Sequence, residues 1–150
     1  MISSNFKKCV TLNKNSKVTV KENGKQAIFL NPERTVYCVV HVDGCVIQQK
    51  IASDYVVSKA GVGDVVVELK GCDVDHAVDQ IFATADFWTK NGFREGNIAG
   101  LIVCSRKPSF DTKIQRIQAR FAKHFSAPIH VIARNDEFVF ERVLMFSGPK

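Results

Sequence analysis

Glu68 and Lys70 stand two residues apart at the end of an apolar run, Val65-Val66-Val67-Glu68-Leu69-Lys70. Side chains two apart on a strand share a face, with roughly 7 Å between their backbone positions. Thirteen residues separate Glu68 from Asp54, which opens a short strand-like segment ending at Ser58. The turn at Gly61-Val62-Gly63 is short enough to make the two segments antiparallel neighbours, so the start of one lies beside the end of the other. Asp54 is thereby expected to meet Glu68 and Lys70. Two carboxylates and a lysine at one point suit phosphodiester hydrolysis. Hard oxygen ligands hold Mg²⁺, which binds a substrate phosphate and acidifies a bound water. The ammonium positions the attacking water or stabilises the pentacovalent transition state.

The elements that must position these residues follow from the hydrophobic period. Lys17 to Val20 and Gln26 to Leu30 flank Asn23-Gly24, a two-residue hairpin signal. Val36 to Val42 and Cys45 to Lys50 flank Asp43-Gly44 and predict a second hairpin. After Gly71 the period becomes helical. Val74, Ala77, Val78, Ile81, Phe82, Ala85 and Trp88 share a face, Asp73 is the expected N-cap, and Asn91-Gly92 closes the helix. Ile98 to Cys104 reads as a strand covered on both faces. Phe110, Ile114, Ile117, Phe121 and Phe125 line a second helix, and Pro128 ends it. Ile129 to Ala133 is a further strand, and Asn135-Asp136 turns the chain into Phe138 to Val143. The prediction is a single α/β domain over residues 1–150: a mixed β-sheet flanked by helices, with N-terminal β-hairpins and parallel strands in the later part. The weakly patterned first sixteen residues are expected to be partly mobile.

With that order in place, Asp54-x13-Glu68-x-Lys70 resembles the PD-(D/E)XK nuclease superfamily, over about Val36 to Ala133. The resemblance implies a restriction-endonuclease-like core and a metal-dependent endonuclease, with DNA the more expected substrate over RNA. It makes Asp54 and Glu68 metal ligands, adds the Leu69 carbonyl, and makes Lys70 catalytic. Many members carry a glutamine on the following helix, and Gln80 occupies that position. The implied cofactor is Mg²⁺ or Mn²⁺. The family often adds an acid from a preceding helix, and no convincing helix precedes Val36. Glu33, in the loop after Asn31-Pro32, is the candidate, with a plain solvated glutamate as the other reading. The missing acid leaves open a catalytically inactive nuclease-fold module that binds nucleic acid or a protein partner. Glu-x-Lys occurs by chance in roughly half of chains this long, so a surface ion pair at a strand end stays on the table.

Composition agrees with a globular chain carrying an anionic partner. The net charge is +6, charged residues make up 24% and apolar residues 45%. Lys113, Arg116, Arg120 and Lys123 fall within about 80° of arc on the second helix. Together with Arg106 and Lys107 they track a phosphate backbone or form a solvated basic face. Lys59 is a phosphate contact or plain surface. His76 is a surface residue or approaches the site, while His124 and His130 read as a helix-end cation and a packed side chain. The five cysteines are scattered without Cys-x-x-Cys spacing, which suggests reduced thiols and a cytoplasmic location. Cys38, His41 and Cys45 are close in sequence, but the alternation of strand faces argues against a zinc site. Leu144-Met145-Phe146 suggests packing or a homodimer contact. No apolar run is long enough to span a bilayer, and no membrane role is expected.

Overall fold

The computed structural model describes residues 1–69, 73–105 and 111–149. Lys70, Cys72, Arg106, Lys107 and Phe110, all used in the sequence reading, lie outside the described residues. After a 3-10 segment (Ser4–Cys9) come β1 (Val10–Asn13), β2 (Lys17–Glu22), β3 (Lys25–Leu30), β4 (Tyr37–His41), β5 (Tyr55–Lys59) and β6 (Gly63–Leu69). Helix α1 (Val74–Lys90), β7 (Asn97–Val103), α2 (Asp111–Phe125), β8 (Ile129–Ile132), β9 (Asp136–Phe138) and α3 (Phe140–Val143) follow.

Two sheets form. The larger has the order β1-β4-β5-β6-β7-β8, antiparallel as far as β6 and parallel from there on. The smaller has the order β2-β3-β9. Successive crossovers from β6 to β7 to β8 march in one direction, and a constant right-handed turn then puts both helices on the same face. The packing agrees. Val66, Ile98 and Ile102 share one core with Val78, Ile81 and Trp88 of α1 and Ile117 and Phe121 of α2. The opposite face, with Val65, Val67, Leu101 and Val103, packs on Val18, Val20, Phe29, Phe138 and Phe140. The long helices therefore do not flank the sheet on both sides; the small sheet is the third layer. This explains why every residue of β6 is buried. Gly100 lets α1 approach, since a Cβ there would meet Ile81 and Ile129 side-chain atoms at 2.8 Å.

Asp73 caps α1 as expected, accepting a hydrogen bond from the His76 backbone N–H at 3.0 Å. The hairpin at Asn23-Gly24 also forms, with both residues at positive φ (50° and 80°) as a type I′ turn requires. Three expectations are corrected. Asp43-Gly44 does turn, but residues 45–50 do not return as a strand. Val46 and Ile47 are consecutive buried residues rather than alternating ones, so they tuck into the helix-side core and β5 becomes the antiparallel partner of β4. Residues 10–13 form the edge strand β1 on β4, where no strand was expected. The segment after Asn135 splits into β9 and α3, because Phe140 and Val143 are buried at helical spacing.

The cysteine reading also changes. Cys9 and Cys45 form a disulfide across 36 residues. Such a bond is unusual for the cytoplasm that was expected. Among the described residues no helix is long and apolar enough to cross a membrane. Met145 and Phe146 are exposed, while Leu144 packs on the small-sheet core.

Two stability outcomes follow. Denatured, unreduced protein should show at least two fewer titratable thiols than reduced protein, and Cys45→Ser should cost about 2–4 kcal/mol in urea unfolding. His130 is buried with Nε2 2.9 Å from the Val143 carbonyl oxygen, and burial holds its pKa below the usual histidine range. A depressed folded pKa means the unfolded chain binds the proton first. The stability is present above the unfolded value, near 6.5, and is lost as pH falls through the folded one. Urea midpoints should therefore drop from about pH 7.5 to about pH 5, and less steeply in His130→Gln.

Candidate functional site

The β5–β6 ladder ends at the pair Tyr55 and Val67. One residue further, Asp54 and Glu68 continue the register without a ladder bond between them. Their carboxylates close the ladder instead. The Asp54 N–H donates to Glu68 Oε1 at 3.0 Å, and the Leu69 N–H donates to Asp54 Oδ2 at 2.9 Å. Each acid thus accepts from backbone beside the other, which fixes both side chains at the carboxyl end of β6. Alternation puts Glu68 on the helix-facing side with Val66. Glu68 is 1% exposed, and Asp54 is half-buried.

Gln80 reaches the same place from α1. Its Nε2 donates to the Ala52 carbonyl at 3.0 Å, which fixes the amide orientation and leaves Oε1 as the free end. That oxygen is buried and has no hydrogen-bond partner among the described residues. A buried acceptor left without a donor costs about 1–3 kcal/mol, so the position points to a ligand or ordered water.

These residues open into one cavity of about 430 Å³, lined by Glu22, Asn23, Lys25, Asp43, Asp54, Glu68, Leu69 and Gln80. The chain brings together four of its expected site residues, Asp54, Glu68, Leu69 and Gln80. It also adds two acids and a lysine that the sequence reading did not find. Asp43 arrives because the loop after β4 runs back along residues 53 and 54: the Asp43 N–H donates to the Ser53 carbonyl and the Val42 N–H to the Asp54 carbonyl. Glu22 and Lys25 arrive on the β2–β3 hairpin, and are cross-strand partners at its tip. Glu33 is exposed and does not line the cavity. Lys59 does not line it either; its ammonium pairs with Glu141. Among the described residues, four carboxylates face one ammonium in the cavity.

The donors are all oxygen, the set preferred by hard divalent cations. Among the described residues, no three His, Cys, Asp or Glu side chains already converge as a metal cage. A cation here would take Asp54, Glu68 and water or carbonyl oxygens, as Mg²⁺ commonly does.

A separate groove of about 600 Å³ is lined by Asp75, Thr112, Lys113, Arg116, Ile117 and Arg120. It gathers three of the four expected basic residues; Lys123 is exposed outside it. Lys113 pairs with Asp75 at 2.7 Å, and the Arg120 guanidinium stacks over Phe82 at 4.4 Å.

No protein-family model, curated protein or solved structure matches the chain. The site therefore stands on its own geometry. Asp54→Ala should remove the acceptor of the Leu69 N–H and cost about 1–3 kcal/mol in urea unfolding. Asp54→Asn keeps an oxygen there and should cost clearly less. Equal losses in the two variants would mean that the clasp does not hold the ladder end.

Proposed function

We propose that the protein is a divalent-metal-dependent nuclease of the PD-(D/E)XK type, hydrolysing phosphodiester bonds of DNA on a restriction-endonuclease-like core. The observation that carries this reading is the convergence of Asp54, Glu68 and the unpartnered Gln80 Oε1 in one cavity at the carboxyl end of β6. Open α/β sheets bind ligands in that same location.

Asp54 and Glu68 would hold Mg²⁺ or Mn²⁺, with the Leu69 carbonyl as an added ligand. When bound, the cation supplies Lewis-acid polarisation of the phosphate and a more acidic water. The chain's own groups do the rest. The backbone clasp keeps both carboxylates aimed before substrate arrives, so little reorganisation is needed on binding. Gln80 Oε1 accepts a hydrogen bond from the attacking water and aligns it. Lys70, assigned by its spacing from Glu68, neutralises charge developing on the phosphate. Among the described residues four carboxylates line the cavity and outnumber the lysines assigned to it, which disfavours a bare phosphodiester and makes nucleic-acid binding there depend on the cation. The Lys113, Arg116 and Arg120 groove carries flanking phosphates.

A second reading, a nuclease-fold module that binds nucleic acid or a protein without turnover, draws on two observations. No third acid completes a cage among the described residues, and both carboxylates already accept backbone hydrogen bonds. Cleavage separates the two. Purified protein should cut supercoiled plasmid, single-stranded DNA or RNA with Mg²⁺ or Mn²⁺. Asp54→Asn and Glu68→Gln should each lower the rate by at least about 10²-fold with the fold intact. No cleavage of any of these substrates with either metal would sink the enzyme reading.

A further inference from the structure

The cavity has a wall that the catalytic reading does not use. The tip of the β2–β3 hairpin contributes Glu22, Asn23 and Lys25, and it is held there by contacts from outside its own sheet pairing. The Tyr55 hydroxyl, one residue beyond Asp54, donates to the Lys21 carbonyl at 3.1 Å. On the other side, the Asn135 side chain accepts from the Gln26 N–H at 3.0 Å and donates to the Gly24 carbonyl at 3.3 Å. The turn is therefore pinned on both flanks beside the acids instead of swinging free.

Lys25 is the cation this arrangement presents. It is half-buried, and among the described residues no carboxylate lies within ion-pair distance of its ammonium. Lys17, Lys59, Lys90 and Lys113 each have such a partner, and the other described lysines without one, Lys21 and Lys50 among them, do not line the cavity. Glu22 faces it across the last rung of the hairpin without closing on it. An ammonium kept out of an ion pair at the mouth of an acidic cavity suits an anion that arrives with a cation. The buried Gln80 Oε1 on the same cavity has no partner among the described residues and so offers an acceptor to a ligand or an ordered water.

We propose that the hairpin tip is a phosphate-binding wall of this cavity, with Lys25 donating to a non-bridging oxygen of a nucleic-acid phosphate. The proposal rests on the nuclease reading for the identity of the anion. Lys25 is a binding and positioning residue; it forms no bond and transfers no proton. Because the acids outnumber it, the contact forms only with a divalent cation present, and removing Lys25 weakens binding without touching the ligands of that cation.

The test reads binding rather than turnover, so it stays informative even if no cleavage is found. Affinity for a DNA duplex of about 20 base pairs is measured against salt with Ca²⁺ present, for the native chain, Lys25→Ala, Lys25→Arg and Lys50→Ala. One lost phosphate contact should lower the slope of log K against log salt by about 0.9 and weaken binding several-fold at low salt. Lys25→Arg should keep the native slope. Lys50 is exposed and off the cavity, so its variant should keep the slope as well. Circular dichroism checks that Lys25→Ala is folded. An unchanged slope in Lys25→Ala, an equal drop in Lys50→Ala, or a native chain that does not bind the duplex overturns the proposal. Absence of cleavage with Mg²⁺, alongside the expected slopes, would overturn the nuclease reading alone.

Discussion

Where the β5–β6 ladder stops, two backbone N–H groups would be left without partners, and the chain fills both with carboxylates. Asp54 takes the Leu69 N–H and Glu68 takes the Asp54 N–H, so each acid is anchored through the strand that carries the other. An acid pair held this way cannot drift apart without breaking the end of a fully buried strand. The same bonds that finish the sheet therefore fix the spacing of the candidate site. Structure and chemistry share one set of contacts, and that is why substitutions must be chosen to keep an acceptor oxygen in place.

Burying β6 on both faces is what makes such a clasp rigid. Helices α1 and α2 cover one face because both crossovers turn the same way, and the small sheet covers the other. The second layer does more than fill space. Its hairpin β2–β3 extends beyond the end of β6 and brings Lys25 and Glu22 beside Asp54, while α1 brings Gln80 from the opposite layer. Three layers thus meet at one end of the central strand. The disulfide between Cys9 and Cys45 tethers the loop that delivers Asp43, joining the N-terminal segment to the rim of the same cavity.

The sequence revealed the part of this arrangement that depends on local period. Alternation in Val65 to Leu69 put Glu68 on a defined face and a short turn put Asp54 beside it; Gln80 was singled out only by the family resemblance, and its burial on α1 is a finding of the structure. Asn23-Gly24 and Asp73 announced their turn and cap through backbone chemistry that acts over a few residues. What the sequence hid was set by contacts between distant segments. Asp43 reaches the cavity only because residues 45–50 fold under the helices instead of pairing as a strand. Lys25 looked like one of many surface lysines until the small sheet was stacked on the large one. Cys9 and Cys45 carry no spacing signal, since 36 residues separate them. The aligned basic residues of α2 were legible as a stripe, yet only three of them share a groove.

The claim on which the rest depends is that the clasped acids hold a divalent cation. Mn²⁺ titration followed by isothermal calorimetry, on the native chain and on Glu68→Gln, tests it without requiring any substrate. The account predicts saturable binding by the native chain that is lost or weakened at least about tenfold in a folded Glu68→Gln variant, because one anionic ligand is removed. Equal Mn²⁺ affinity in the two proteins, or no binding by the native chain, would contradict it.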